Sequence, residues 1–169
     1  GKQFVFMARQ LCQIQHAAGD GLGRAAHIPP MGGRERLAYW VYQLSSAGVL
    51  VCLCAQRAEV EGAWPFWAGL VLYLLGLALC AGAVVSFGRP SPGPFREDGL
   101  YRFSRNPMYV SYFVYFAGCV LLTRSRLLAA LVLLFQLSEH WIILAEERWC
   151  REQFGAPYEA YRKRVRRYL

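Results

Sequence analysis

An all-α integral membrane protein is the fold class this sequence predicts, and three observations predict it. Of 169 residues, 56% are hydrophobic and only 18% are charged, below the roughly 25% charged that soluble globular domains carry. The apolar residues are gathered into four windows, Leu37 to Gln56, Gly62 to Gly88, Asn106 to Thr123 and Leu127 to Ala145, the last broken only by Glu139. Third, the basic residues sort by position: sixteen of nineteen Lys and Arg fall in segment 1–36, in the 89–105 connection or after Glu146, and only Arg57, Arg124 and Arg126 fall in the two opposite loops. By the positive-inside rule both chain ends and the long middle connection face the cytoplasm. The formal charge of +8 therefore reads as an orientation signal, with some attraction to anionic lipid, and not as a nucleic-acid surface.

The elements follow in order. Residues 3–18 place Phe4, Met7, Leu11 and Ile14 on one stripe, which predicts a short interfacial helix, too short and polar to span. No cleavage site follows an apolar core, so a secretory signal is not expected. The Gly19-Asp20-Gly21-Leu22-Gly23 run lacks dinucleotide-loop spacing and reads as a linker. A hydrocarbon core about 30 Å thick needs about 20 helical residues, so the first two windows span comfortably while the third and fourth are marginal. Joined only by Arg124-Ser125-Arg126, those last two are expected to form a helical hairpin. Gly69, Gly76 and Gly82 in the second span invite close approach by a neighbour. Beyond Glu146 the fourth helix is expected to run into the cytosol to Phe154, break at Gly155-Ala156-Pro157 and resume from Tyr158 to Arg167 as a helical tail.

The polar residues inside this framework carry the chemistry. Glu139 and Glu146 are seven apart, as are His140 and Glu147, so each pair lies along one line of the fourth helix. An acidic group in a membrane helix costs roughly 2.5–3.5 kcal/mol on insertion scales and faces a bundle interior or a wet cavity. The connection from Arg89 to Asn106 is broken by Pro90, Pro92, Gly93, Pro94 and Gly99, and its charges exceed what a tether requires. Cys52, Cys54, Cys80 and Cys119 lie in apolar windows and act as small hydrophobes, while Cys12 and Cys150 on the reducing side are expected to be free thiols. No metal set is expected.

Gly99-Leu100-Tyr101-Arg102-Phe103-Ser104-Arg105-Asn106-Pro107-Met108-Tyr109, then Glu146-Glu147, then Phe154-Gly155 with Tyr158, Tyr161 and Val165, resembles the C-terminal signature of the isoprenylcysteine carboxyl methyltransferase and phospholipid methyltransferase superfamily. The resemblance covers about 86–169. It implies a small helical membrane enzyme that binds S-adenosylmethionine from the cytosol, releases S-adenosylhomocysteine and methylates a lipid-borne or small apolar acceptor. It divides the chain into a segment 1–36 and a membrane methyltransferase domain 37–169, with the cofactor half at about 86–169. It implies cofactor contacts from Pro94, Phe95 and Arg96, from Tyr101, from Arg105, Asn106, Pro107, Met108 and Tyr109, and from Glu146. His140 and Glu147 are the candidate bases, and Glu139 and Ile142 the candidate acceptor contacts. Asn106 stands where the family usually has His, keeping hydrogen bonding without a titratable group. Ile142 stands where the carboxyl methyltransferases carry a substrate-binding Arg, so the acceptor stays open among carboxylate, amine and thiol. Membrane lipids are the expected partners, and no nucleic acid. Two alternatives remain: a reductase akin to the sterol reductases using NADPH, and a non-enzymatic four-helix protein.

Overall fold

The structure, a computed structural model, describes residues 32–57, 64–88, 95 and 97–169. The expected interfacial helix over 3–18, the glycine run at 19–23, and Pro94 and Arg96 lie outside the described residues. Four helices and one 3-10 turn make up the remainder: α1 (Gly33–Ala55), α2 (Trp64–Gly88), the turn Gly99–Arg102, α3 (Pro107–Thr123) and α4 (Arg126–Arg164). Among the described residues there is no strand. Three of the helices, α1, α2 and α4, are long and apolar enough to cross a membrane. Helix α3 has 17 residues, about 25 Å at 1.5 Å each, short of a full hydrocarbon core. Exposed apolar side chains such as Trp64, Trp67, Val71 and Leu74 cover the outside of α2, a surface suited to lipid and not to water.

Local sequence sets the ends of each helix. In α1 the Glu35 carboxylate turns back to accept from the Gly32 amide at 2.9 Å, satisfying a donor that the first turn leaves open. At the other end Gln56 donates its side-chain amide to Ser125 Oγ at 2.7 Å, and Ser125 in turn caps α4 by accepting from the Leu128 amide at 3.2 Å. Pro107 opens α3 at a position where its missing N–H costs nothing. The α3–α4 link is only Arg124, left-handed at φ 48°, and Ser125. Although this short link was expected to make a packed hairpin, the more extensive contacts are of α2 with α3 and of α1 with α4. The reason is small residues: a Cβ at Gly76 would stand 2.5 Å from the Tyr115 backbone, and one at Gly118 would stand 2.5 Å from the Tyr73 amide. There the two backbones of α2 and α3 touch, an approach only glycine permits.

Side chains from all four helices meet near the α3–α4 link, where Val49, Cys52, Cys119, Leu128 and Val132 pack with Tyr73 and Tyr115. Nearer the other end Tyr42 stacks on Phe135 at 5.0 Å. Past Glu146 helix α4 continues to a break at Gly155 (φ 55°, ψ −131°), and the aromatic residues on both sides of it, Phe154, Tyr158 and Tyr161, close around Phe95. The helix ends at Arg164, and Val165 is extended, so the expected helical tail to Arg167 stops short. Cys52, Cys54, Cys80 and Cys119 are free thiols. Cys150 is fully buried beside Phe154.

Candidate functional site

The site forms at the end of the bundle where α1 begins, α3 begins and α4 leaves the apolar zone. One tie across this end joins the first turn of α1 to α4, through the two guanidinium nitrogens of Arg148 on the two carboxylate oxygens of Glu35, one of them at 3.0 Å. The 3-10 turn lies against the same end. Gly99 takes φ 59° with Ser86 of α2 packed where a side chain would stand, and the Tyr161 hydroxyl donates to the Tyr101 carbonyl at 2.8 Å. The kinked end of α4 thus holds the turn in place.

Within this frame the two stretches singled out in the sequence come together. The Tyr109 hydroxyl is 3.4 Å from each carboxylate oxygen of Glu146. Arg105 Nη2 lies 3.2 Å from Glu147 Oε1, and both side chains are more than nine-tenths buried. Tyr101, Met108 and Tyr109 pack with Ala83 and Ile143 in one buried cluster. Asn106 donates its side-chain amide to the Arg167 carbonyl at 3.1 Å, and its backbone N–H donates to Ser104 Oγ at 3.1 Å.

Other expected site residues are placed differently. Phe95 packs inside the aromatic cluster, with ring centroids 5.3 Å from Tyr161 and 5.6 Å from Tyr158. Ile142 belongs to the core with Tyr42 and Phe135. Glu139 is only 2% exposed, and its Oε1 has no hydrogen-bond partner. A buried carboxyl oxygen left so is costly and calls for a functional or solvent explanation. Around it stand Tyr42, Tyr109, Tyr112 and Tyr168, all near enough for its charge to be felt, together with Glu146. His140 Nδ1 shares a hydrogen bond of 2.6 Å with the Tyr168 hydroxyl, a group whose burial pushes its pKa above the ordinary tyrosine range.

Three contributors were missed in the sequence: Ser104, Arg167 and Tyr168. Arg167 forks onto Glu147 with Nε–Oε1 at 3.1 Å and Nη2–Oε2 at 2.9 Å, and that carboxylate holds the Arg167 guanidinium above its ordinary pKa. Nothing in the basic run from Arg162 to Arg167 distinguishes this Arg from its neighbours. Its role appears only once the chain turns back after α4. Arg105 is the more telling member of the cluster, because its Nε and Nη1 are buried without any partner. On the outside of the bundle an apolar groove of about 430 Å³ runs between α1 and α4, lined by Leu37, Val41, Leu137 and Trp141 with Arg34 among its walls. Among the described residues no group of three or more His, Cys, Asp and Glu is placed to hold a metal ion.

A buried helical bundle with apolar outer faces and this polar cluster at one end is an integral membrane protein, and comparison gives its family. The chain belongs to the phospholipid methyltransferase family, whose sequence model matches residues 64–157, from the start of α2 to just beyond the Gly155 break. Among curated proteins it is similar to the protein-S-isoprenylcysteine O-methyltransferase of Schizosaccharomyces pombe, 39% identical over 71 residues. That match takes in 40% of this chain and 29% of the relative, so the chain spans under a third of the relative's length. No solved structure matches it.

Proposed function

We propose that this protein is a membrane methyltransferase that uses S-adenosylmethionine and methylates an amine-bearing or other small or lipid-borne acceptor at the cytoplasmic rim of the bilayer. The observation that carries the reading is the meeting of Arg105 and Tyr109 with Glu147 and Glu146, which joins the proline-rich connection to the end of α4. The residues fit the cofactor by chemistry. Arg105 offers two buried donor nitrogens with no partner, Nε and Nη1, suited to a carboxylate. The start of α3, whose Asn106 makes no side-chain cap, adds backbone amides to the same end. Glu146 suits ribose hydroxyls or the cationic amine, and Tyr101, Met108 and Tyr109 supply aromatic and apolar walls. Pro94 and Arg96 remain part of the proposed set, with Phe95 acting from beneath by packing.

When bound, the cofactor supplies a methyl group on a positively charged sulfur, ready for displacement. What the chain contributes is alignment, for which well-oriented reactants gain about 7–11 kcal/mol, and proton removal where the acceptor needs it. Glu147 is committed to two guanidinium groups, which makes it a poor base and a good organiser. His140, held by Tyr168, is the better placed of the two candidate bases. Ile142 provides no cation for a carboxylate acceptor, and the unpaired oxygen of Glu139 offers a hydrogen-bond acceptor that an amine N–H can satisfy and a carboxylate cannot. Both favour an amine over a carboxylate as acceptor. The groove between α1 and α4 suits the apolar chain of a lipid, with Arg34 toward its headgroup.

Titration of the purified protein in lipid nanodiscs with S-adenosylhomocysteine and with NADPH tests the reading. Saturable binding of the first, none of the second, and loss of the first in Glu146→Ala are expected. Binding of NADPH instead would move the protein to the reductase class, and binding of neither would leave it without an enzymatic reading.

A further inference from the structure

The segment that follows α4 is tied to the site by six long-range hydrogen bonds. The Arg105 amide donates to the Arg166 carbonyl at 2.9 Å. The Arg167 carbonyl accepts from Asn106 Nδ2 at 3.1 Å and from Ser104 Oγ at 3.3 Å. The Arg167 guanidinium takes both oxygens of Glu147, and Tyr168 meets His140. Two guanidinium groups share one buried carboxylate, leaving a net charge of +1.

The way they share it is uneven. Arg167 holds Glu147 in the two-pronged geometry that Arg and carboxylate prefer, whereas Arg105 makes one contact at 3.2 Å through Nη2. Its Nε and Nη1 have no partner, although its side chain is only 8% exposed. With nothing on the far side of Glu147, the carboxylate would be drawn fully onto Arg105 and would consume those donors. We propose that Arg167 is a positioning residue: by occupying both oxygens of Glu147 it keeps the buried Arg105 guanidinium open to the oxyanion of a ligand. The inference rests on the reading of Arg105 as the seat of the cofactor's carboxylate, and deepens it by naming what keeps that seat open.

The test compares two nucleosides that differ in the carboxylate. S-adenosylhomocysteine carries it, and 5′-methylthioadenosine lacks the whole amino-acid part. Arg167→Ala should weaken S-adenosylhomocysteine binding by about tenfold or more while changing 5′-methylthioadenosine binding by less than about twofold, which also shows that the variant is folded. Arg167→Lys, a point charge without the fork, should fall between. Adding Glu147→Gln to Arg167→Ala should restore most of the loss, because a neutral amide does not capture Arg105. Unchanged S-adenosylhomocysteine binding in Arg167→Ala, equal loss for both nucleosides, or a double variant weaker than the single would each overturn the inference. A lipid phosphate has the same chemistry as the carboxylate; Arg167-dependent binding of short-chain phosphatidic acid with S-adenosylhomocysteine unaffected would reassign the oxyanion and overturn it too. If the wild type binds neither nucleoside, the functional reading itself falls.

Discussion

Glu139 concentrates the residue-scale argument, since it is a buried acid on a membrane helix with an oxygen left unpaired. Ordinary packing selects against such a group, and replacement by an uncharged isostere removes the cost while keeping the shape. Glu139→Gln should therefore melt at the same temperature as the wild type or higher, yet lose at least about tenfold in turnover of an amine acceptor. A variant less stable and equally active would make Glu139 a structural acid. The sequence already showed that Glu139 lines up with Glu146, and His140 with Glu147, along one helix, because spacing on a helix is geometry. It did not show that Glu147 is bound to Arg105 and Arg167. Those partners are brought in by the turn at Ser104 and by the return of the chain after α4, and neither has a periodic signature. Phe95 and Ile142 are the converse: expected to contact ligands, they pack in apolar clusters, since pattern alone does not separate an aromatic wall from an aromatic core.

Helices α2 and α4 each depend on a glycine for a different reason, and each dependence gives a measurable outcome. At Gly76 the neighbour is backbone, which cannot rotate away, so Gly76→Val should separate α2 from α3 and destabilise the protein by about 1–3 kcal/mol or more. At Gly155 there is open space around the missing side chain, but φ 55° with ψ −131° is a backbone state that other residues avoid at a cost of about 1–3 kcal/mol. Gly155→Ala should therefore lower the melting temperature and loosen the Phe95 cluster, read as faster amide exchange at Tyr158 and Tyr161. An unchanged melting temperature in either variant would contradict the corresponding argument. The break at Gly155-Ala156-Pro157 was legible because Gly and Pro punctuate local structure. The choice of helix partners was less legible. A link as short as Arg124-Ser125 suggests a packed pair, whereas close approach at Gly76 and Gly118 decides which helices actually pack most.

For the whole molecule, the apolar windows and the distribution of Lys and Arg read directly as a membrane bundle with one strongly basic end, because hydropathy and charge act over whole segments. By the positive-inside rule that distribution also predicts an orientation, with the basic end toward the cytosol. A cysteine introduced at Gln153 should react with an impermeant maleimide only from the cytosolic side, and one at Arg124 only from the opposite side. Reaction of both from one side would require a different number of crossings. At this basic end the chain gathers its ion pairs, its α1–α4 tie through Glu35 and Arg148, and the buried donors of Arg105, so the proposed cofactor site and the orientation belong to one arrangement. The most direct measurement is an experimental structure in lipid nanodiscs with S-adenosylhomocysteine. The account predicts ligand density touching Arg105, Tyr109 and Glu146 together. Density elsewhere on the bundle, or contact with only one of the two stretches, would contradict it.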